Sequence, residues 1–363
     1  MQKITRQLAD EIKISEAQVR SAVELLDGGA TVPFIARYRK EVTGGLDDIQ
    51  LRELEARLSY LRELEDRRAA VIKSIQEQGK LTPELLAAIE TPQTDPGELK
   101  AALTRFAVQQ NDPHERALML ALPEGLGLLQ ALSPADQASV RGVLAHITRS
   151  QTLDVSRFGD GPQALATEAE LEDYTWLVAG CVGEFWTELC ERHLPGFARL
   201  PTPDMMALGR AYGMGLQRLN ILRDAGADLI AGRCYWPEDT LAAAGLSPQA
   251  LAQCARDNDP STRQALSPLW TAWLDQTQAQ LNDGLRYSCA LKGWRLRLAS
   301  ALPALIGART VALLRQAGPQ ALSQRVKMPR QEVRALLWRL VLGLVSPNAL
   351  RREYERLSGP WAS

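Results

Sequence analysis

Two prolines and a glycine fall within seven residues at Thr91-Pro92-Gln93-Thr94-Asp95-Pro96-Gly97. No helix runs through such a stretch, because each proline lacks the amide that the helical ladder needs and clashes with the turn before it. The residues before this break therefore have to fold apart from those after it. Composition changes at the same place: residues 1–100 carry 15 Lys/Arg and 18 Asp/Glu, and residues 101–363 hold the remaining 27 and 25 of the chain's 42 and 43. All eight Trp, all three His and all five Cys lie in the second part. The expected organisation is an N-terminal module at 1–92, a junction at 93–102 and a larger domain at 103–355.

The near-neutral balance, a formal charge of −1, removes any general electrostatic pull toward nucleic acid and leaves only local patches to be considered. Cys181, Cys190, Cys234, Cys254 and Cys289 form no C-x-x-C pair, and an odd count spread over helical stretches points to reduced thiols in a cytoplasmic protein without structural zinc. The start, Met1-Gln2-Lys3-Ile4-Thr5-Arg6, lacks the apolar run of a secretory signal. No transmembrane segment is expected either. The most apolar stretch, Leu296 to Leu314, contains Arg297, Pro303 and Arg309, and is read as a buried helix.

In the first part, Ser15-Glu16-Ala17-Gln18 forms a capping-box pattern, with Val19, Ala22, Val23 and Leu26 at helical spacing until Gly28-Gly29. Asp47 is placed to cap a long helix whose apolar stripe is Ile49, Leu54, Leu58, Leu61, Leu64 and Ile72, with Glu53, Arg57, Glu63 and Arg67 on the exposed side. Thr82-Pro83-Glu84 opens a further helix. The run from Gly29-Ala30-Thr31-Val32-Pro33-Phe34-Ile35-Ala36-Arg37-Tyr38-Arg39-Lys40-Glu41 through Thr43-Gly44-Gly45-Leu46-Asp47 to Glu77-Gln78-Gly79-Lys80-Leu81 resembles the N-terminal helical region of the Tex family of bacterial transcription accessory proteins. The resemblance implies a nucleic-acid-associated role for residues 1–92. Arg37, Arg39 and Lys40 are the local candidates for phosphate contact, and ion pairing with Glu41, Asp47 and Asp48 is the alternative reading of the same charges.

The second part is expected to be all-α, with helix starts at Ser133-Pro134, Ser247-Pro248 and Ser267-Pro268. Its most informative stretch runs from Gly215 to Asp228. Gln217, Asn220, Asp224 and Asp228 are spaced three, four and four and share one helix face, while Leu219, Ile221 and Leu222 suit burial of the other sides. Two carboxylates at i and i+4 on such a helix need compensating cations, and an oxygen-rich face suits Mg²⁺ held together with substrate phosphates. Arg223 and Arg233 are placed to hold a diphosphate. A solvated acidic face with local Arg pairs is the other reading. Gly180 and Gly183, in an otherwise apolar helix, fit either a pocket wall or close helix packing.

The runs Tyr174-x-x-Leu-Val-Ala-Gly-x-Val-Gly183, Gln217-x-x-Asn220-Ile-Leu-Arg-Asp224-x-x-x-Asp228 and Gly232-Arg233-x-Tyr235-x-Pro237 are similar to the squalene/phytoene synthase family of head-to-head prenyl transferases. The resemblance covers about residues 103–350. It implies an isoprenoid-synthase-like helical bundle that condenses two prenyl diphosphates, farnesyl favoured, through a Mg²⁺-dependent carbocation, with NADPH required if squalene is the product. Asp224 and Asp228 would be the metal ligands, Gln217, Asn220, Arg223 and Arg233 would bind substrate, and Tyr174 would handle proton transfer. Asp154 falls in a region that usually carries an Asp-Leu pair, Pro303 matches a helix kink, and Phe185, Leu216 and Trp294 are expected to line the cavity. Peripheral membrane contact is implied as well. The family's first Asp-x-x-x-Asp helix should stand upstream of residue 103, where Tex-like sequence stands instead. The bundle is thus expected to lack its first helices, to bind prenyl diphosphate weakly and to turn over slowly if at all. An inactive fusion, or a transcription accessory fragment, is the alternative.

Overall fold

The computed structural model describes residues 2–77, 86, 112–158, 161–342 and 345–359, and the chain divides into two compact units, 1–102 and 103–363. The helix expected to open at Thr82 and the break at 91–97 lie outside the described residues.

The first unit is built from α1 (Gln2–Ile12), α2 (Glu16–Asp27), α3 (Val32–Tyr38) and α4 (Asp48–Glu77). Ser15 and Gln18 form the capping box that starts α2. Asp47 accepts the Gln50 amide at 2.8 Å while the Gln50 side chain reaches back to the Asp47 amide, so α4 starts on the same device. Ile4, Leu8, Val19, Val23, Ile35, Leu51, Leu54 and Leu58 form the core. Ile49, expected on that stripe, is 75% exposed, and Leu51 takes its place two residues on. Arg57 grips Glu11 of α1, and Arg62 grips Asp27 of α2, both through two nitrogens. The charged face of α4 thus ties helices together.

Among its described residues the second unit is all-α apart from one two-residue strand pair. Its elements are α5 (Pro113–Gln130), α6 (Pro134–Arg157), β1 (Gln163–Ala164), α7 (Glu168–Thr175), a π-helical turn (Trp176–Gly180), α8 (Cys181–His193) and α9 (Thr202–Ile230). Then come β2 (Arg233–Cys234), α10 (Glu238–Ala243), α11 (Pro248–Asp257), α12 (Pro260–Ala290), α13 (Trp294–Ala317), a 3₁₀ turn (Gly318–Leu322), α14 (Arg330–Leu342) and α15 (Pro347–Ser358). Helix α9 is the hub and packs on α7, the π turn, α8, α11, α12 and α13. Ser133 and Ser247 cap α6 and α11 with Pro at the first helical position. Ser267-Pro268 does not start a helix. Asp259 caps α12, which runs through Pro268, because that proline is exposed and the buried Leu266, Trp270 and Trp273 hold the flanking turns in place.

Residues Trp294–Leu322 are long and apolar enough to cross a membrane by length and composition. Ala301, Ala304, Leu305, Ala308, Val311 and Leu314 are nonetheless fully buried in the main core, so α13 is a core helix as its sequence suggested. Pro303 sits inside it on the exposed side.

Candidate active site

The four polar residues expected on one face of α9 are found together there. Gln217, Asn220, Asp224 and Asp228 are all half-buried, whereas Leu219, Ile221, Leu222 and Ala225, on the other sides of the same turns, are buried. Each carboxylate has its own arginine. Arg223 donates to both oxygens of Asp224, and Arg233 donates to Asp228 Oδ1 through Nη2 at 2.6 Å and Nε at 3.2 Å. The partner carboxylates raise both guanidinium pKa values, so both arginines stay charged. Burial lifts Asp228 above the ordinary carboxylate value, and Arg233 opposes that rise.

Arg233 reaches Asp228 because a short parallel pairing fixes the chain after α9. Gln163 N donates to Gly232 O, Leu165 N to Cys234 O, and Glu238 N to Leu165 O. The same clasp presents Tyr235. Its Oη lies 3.2 Å from Asp154 Oδ1 at the end of α6, while Tyr174 Oη in the last turn of α7 lies 3.1 Å from Asp154 Oδ2 and 3.3 Å from Tyr235 Oη. Two phenolic protons thus serve three short oxygen contacts, and the ring has a place for a third proton. Burial raises Asp154, against the pull of both tyrosines and Arg233. Burial also lifts Tyr174 far above an ordinary phenol and pushes Tyr235 up to about 12, with Asp154 adding to both shifts. At neutral pH both phenols keep their protons, and Asp154 is the basic member. In the sequence Asp154 and Tyr235 stood out only as members of motifs; their roles come from the fold, which closes 81 residues of separation into one hydrogen bond.

Asn220, Asp224 and Asp228 offer hard oxygen donors on one face, which is the donor chemistry Mg²⁺ takes, and Mg²⁺ typically needs only one or two carboxylates when substrate phosphates complete its shell. Among the described residues no group of three or more His, Cys, Asp or Glu comes together as a metal cage.

The glycines near Tyr174 answer to packing and not to a pocket wall. A Cβ on Gly183 would stand 1.9 Å from Gly209 O, and one on Gly213 would stand 2.1 Å from Ala179 O. Ala179 and Gly183 thus face Gly213 and Gly209 across an antiparallel seam between α9 and the π turn with α8. The three residues expected to wall a cavity have three different surroundings. Phe185 lines a groove between α6 and α8, Leu216 packs on the main core, and Trp294 is 56% exposed with Arg295 over its ring.

The larger unit is an all-helical bundle around α9. Its fold is similar to that of the TcSQS structure with the ligand BPH1237, with a TM-score of 0.57 over 82% of this chain and 90% of that one, at 16% identity. The squalene/phytoene synthase profile matches residues 84–332, and the chain belongs to that family. The Tex-like protein N-terminal domain profile matches residues 2–76. The 15-cis-phytoene synthase of Enterobacter agglomerans is 31% identical over 197 residues, covering 53% of this chain and 55% of that protein. Protein tex of Bordetella pertussis is 67% identical over 92 residues, 25% of this chain and 12% of that protein. The transcriptional accessory protein Tex of Neisseria gonorrhoeae is 42% identical over 190 residues, 51% of this chain and 24% of that protein. The chain therefore spans about a quarter of the length of the Neisseria relatives it matches.

Proposed function

We propose that the larger unit is a prenyl transferase site that takes prenyl diphosphates, farnesyl favoured, in a cytoplasmic protein, joined through a junction at 93–102 to the Tex-like module. The observation that carries this reading is the ring of Asp154, Tyr174 and Tyr235 standing next to the pair made by Asp228 of α9 and Arg233 of β2. Arg223 and Arg233 would bind the diphosphate and hold its charge as the allylic C–O bond breaks. Gln217 and Asn220 would orient it. Asp224 and Asp228, with Asn220, would hold Mg²⁺, which supplies charge stabilisation on the leaving group when bound. Tyr174 is too weak an acid to act as a phenolate. A proton leaving the carbocation would instead pass to Tyr174 Oη while the phenol hands its own proton to Asp154, either directly or through Tyr235.

With farnesyl diphosphate and Mg²⁺, the purified full chain should release diphosphate slowly, and Asp224→Asn should abolish the release. Absence of both release and Mg²⁺-dependent binding of a non-hydrolysable prenyl diphosphate would sink this reading. Adding NADPH then separates a squalene-type product from a phytoene-type one.

A second reading for the Tex-like module has one specific observation behind it. Arg37, Arg39 and Lys40 do not pair with the carboxylates expected for them. Asp48 is taken by Arg52, Asp47 caps α4, and among the described residues none of the three cations has an ion pair. They are exposed beside Phe34 and Tyr38, also exposed, whose rings stand 5.4 Å apart. Cations interleaved with exposed aromatic rings suit single-stranded nucleic acid, by phosphate contact and base stacking. A fluorescent single-stranded RNA should bind with an affinity that falls as salt rises, and replacing the three cations with Ala should remove that dependence. Salt-independent or absent binding would count against it.

A further inference from the structure

The ring of Asp154, Tyr174 and Tyr235 has a second layer one turn away, built from the same three elements. Arg157 follows Asp154 by three residues on α6, and Glu170 precedes Tyr174 by four on α7, so each lies on the helix face of its ring residue. The clasp joins them, because Ala164 of β1 stands in register with Cys234 of β2, the residue before Tyr235. Arg157 Nε donates to Ala164 O at 3.1 Å, and its Nη2 donates to Glu170 Oε2 at 3.1 Å. The same carboxylate oxygen accepts the Ala166 amide, and Thr167 Oγ1 accepts the Glu170 amide. One guanidinium thus fixes α6, the β1 segment and the first turn of α7 at a common point. Phe158, next to Arg157, meets Tyr235 edge-on with ring centroids 5.2 Å apart. Among the described residues the other ion pair between α6 and α7 is Arg149–Asp173, longer at 3.8 Å and about half exposed on both sides.

We propose that Arg157 is a positioning residue: with Glu170 it sets the spacing of the three elements so that Asp154, Tyr174 and Tyr235 close into one hydrogen-bonded ring. Geometry, and not stability, is what this pair adds. Its side chains are 36% and 31% exposed, and an ion pair that open to solvent contributes little to folding. What it supplies is direction, because the guanidinium is planar and its Nε and Nη2 protons leave at fixed angles toward two different elements. The ring depends on such fixing. Its three oxygen contacts span 3.1 to 3.3 Å, so little further separation of α7 or the clasp from α6 would open them. That the ring moves protons is the reading proposed above, and the effect of Arg157 on turnover rests on it. Its effect on the ring itself does not.

The test reads the tyrosines directly by NMR. In the full chain labelled with ¹³C at the tyrosine Cζ, Tyr174→Phe and Tyr235→Phe each delete one signal and so assign it. Arg157→Met and, separately, Glu170→Gln should shift both of these signals, while those of Tyr212, Tyr287 and Tyr354, whose hydroxyls have other partners, stay in place. Arg157→Lys keeps the charge without the planar fork and should restore the two signals only part of the way. In an active enzyme, Arg157→Met should lower kcat for the deprotonated product by about 10–10²-fold with KM little changed, the cost of a small misplacement at a reacting centre. A wild-type protein without turnover sinks the proposed reaction and leaves the spectra to decide this inference. Unmoved Tyr174 and Tyr235 signals in Arg157→Met, an equal shift of all the tyrosine signals, or an active enzyme whose kcat is unchanged overturns it. Glu170→Gln, nearly the same shape, carries the test if Arg157→Met does not fold. Should Glu170→Gln also fail to fold, the pair holds the unit together and does not tune the ring, which overturns the proposal as well.

Discussion

Asp154 carries a cost that its neighbours only partly relieve. A carboxyl whose folded pKa is raised contributes stability that is fully present below its unfolded pKa and is lost as pH rises through the folded value. Burial raises Asp154, so Asp154→Asn should raise the unfolding temperature at neutral pH, and the gain should vanish below about pH 4, near the unfolded aspartate pKa. Formation of the deprotonated product should fall by about 10²–10⁴-fold in the same variant, the usual range for a lost proton-transfer group. Tyr235→Phe removes one of the hydrogen bonds that pull Asp154 down, so the acid limb of activity should move to higher pH. Arg218 is a second residue under tension. It is fully buried, 5.6 Å over Trp273, with one hydrogen bond to Glu168 and with Nε and Nη1 unpartnered. Arg218→Met keeps most of the volume and removes those orphan groups, so urea unfolding should show a change within about 1 kcal/mol of wild type or a gain. Arg218→Ala leaves a hole and should cost about 2–5 kcal/mol.

At the scale of elements, the glycine seam and the α6–α8 tie decide how the site helices sit. Gly183→Ala and Gly213→Ala each drive a methyl into a backbone carbonyl, so each should lose about 1–3 kcal/mol or more in chemical denaturation. Helix α6 is tied to α8 where Asp136 accepts from Arg192 at 2.7 Å and meets His193 at 2.8 Å. His193, Ser133 and Arg192 hold the Asp136 carboxyl well below its ordinary value. Its stabilisation is present above the unfolded aspartate pKa and lost as pH falls through the folded one, so a pH series of melting temperatures should slope less steeply at acid pH in Asp136→Asn. Much of this level was legible in the sequence. Capping boxes, Ser-Pro starts and the spacing of Gln217, Asn220, Asp224 and Asp228 are local patterns, and local hydrogen bonds decide them. Ser267-Pro268 misled because burial of Trp270 and Trp273 overrode a local start signal. Gly180 and Gly183 stayed ambiguous because sequence says that a side chain is missing and not what occupies its place. The Asp154–Tyr235 contact was illegible for a different reason, since it exists only through tertiary closure.

Across the whole molecule, two units with separate cores share one chain, and all five thiols lie buried in the larger one. Burial pushes Cys181 up to about 11 and Cys234 up to about 12, and raises Cys190, Cys254 and Cys289 as well. A thiol reagent at neutral pH should therefore leave the native protein unlabelled and react with five groups in denaturant, so labelling tracks unfolding of the larger unit alone. Early partial labelling would show that part of that core opens independently. The β1–β2 clasp gives such opening a particular meaning. A few backbone hydrogen bonds hold Arg233 to Asp228 and Tyr235 to Asp154, so in the proposed reaction anion capture and proton handling would hang from one latch. Should that latch spring, both proposed duties would fail in the same instant, and a damaged molecule would fall silent before it could release a half-processed cation.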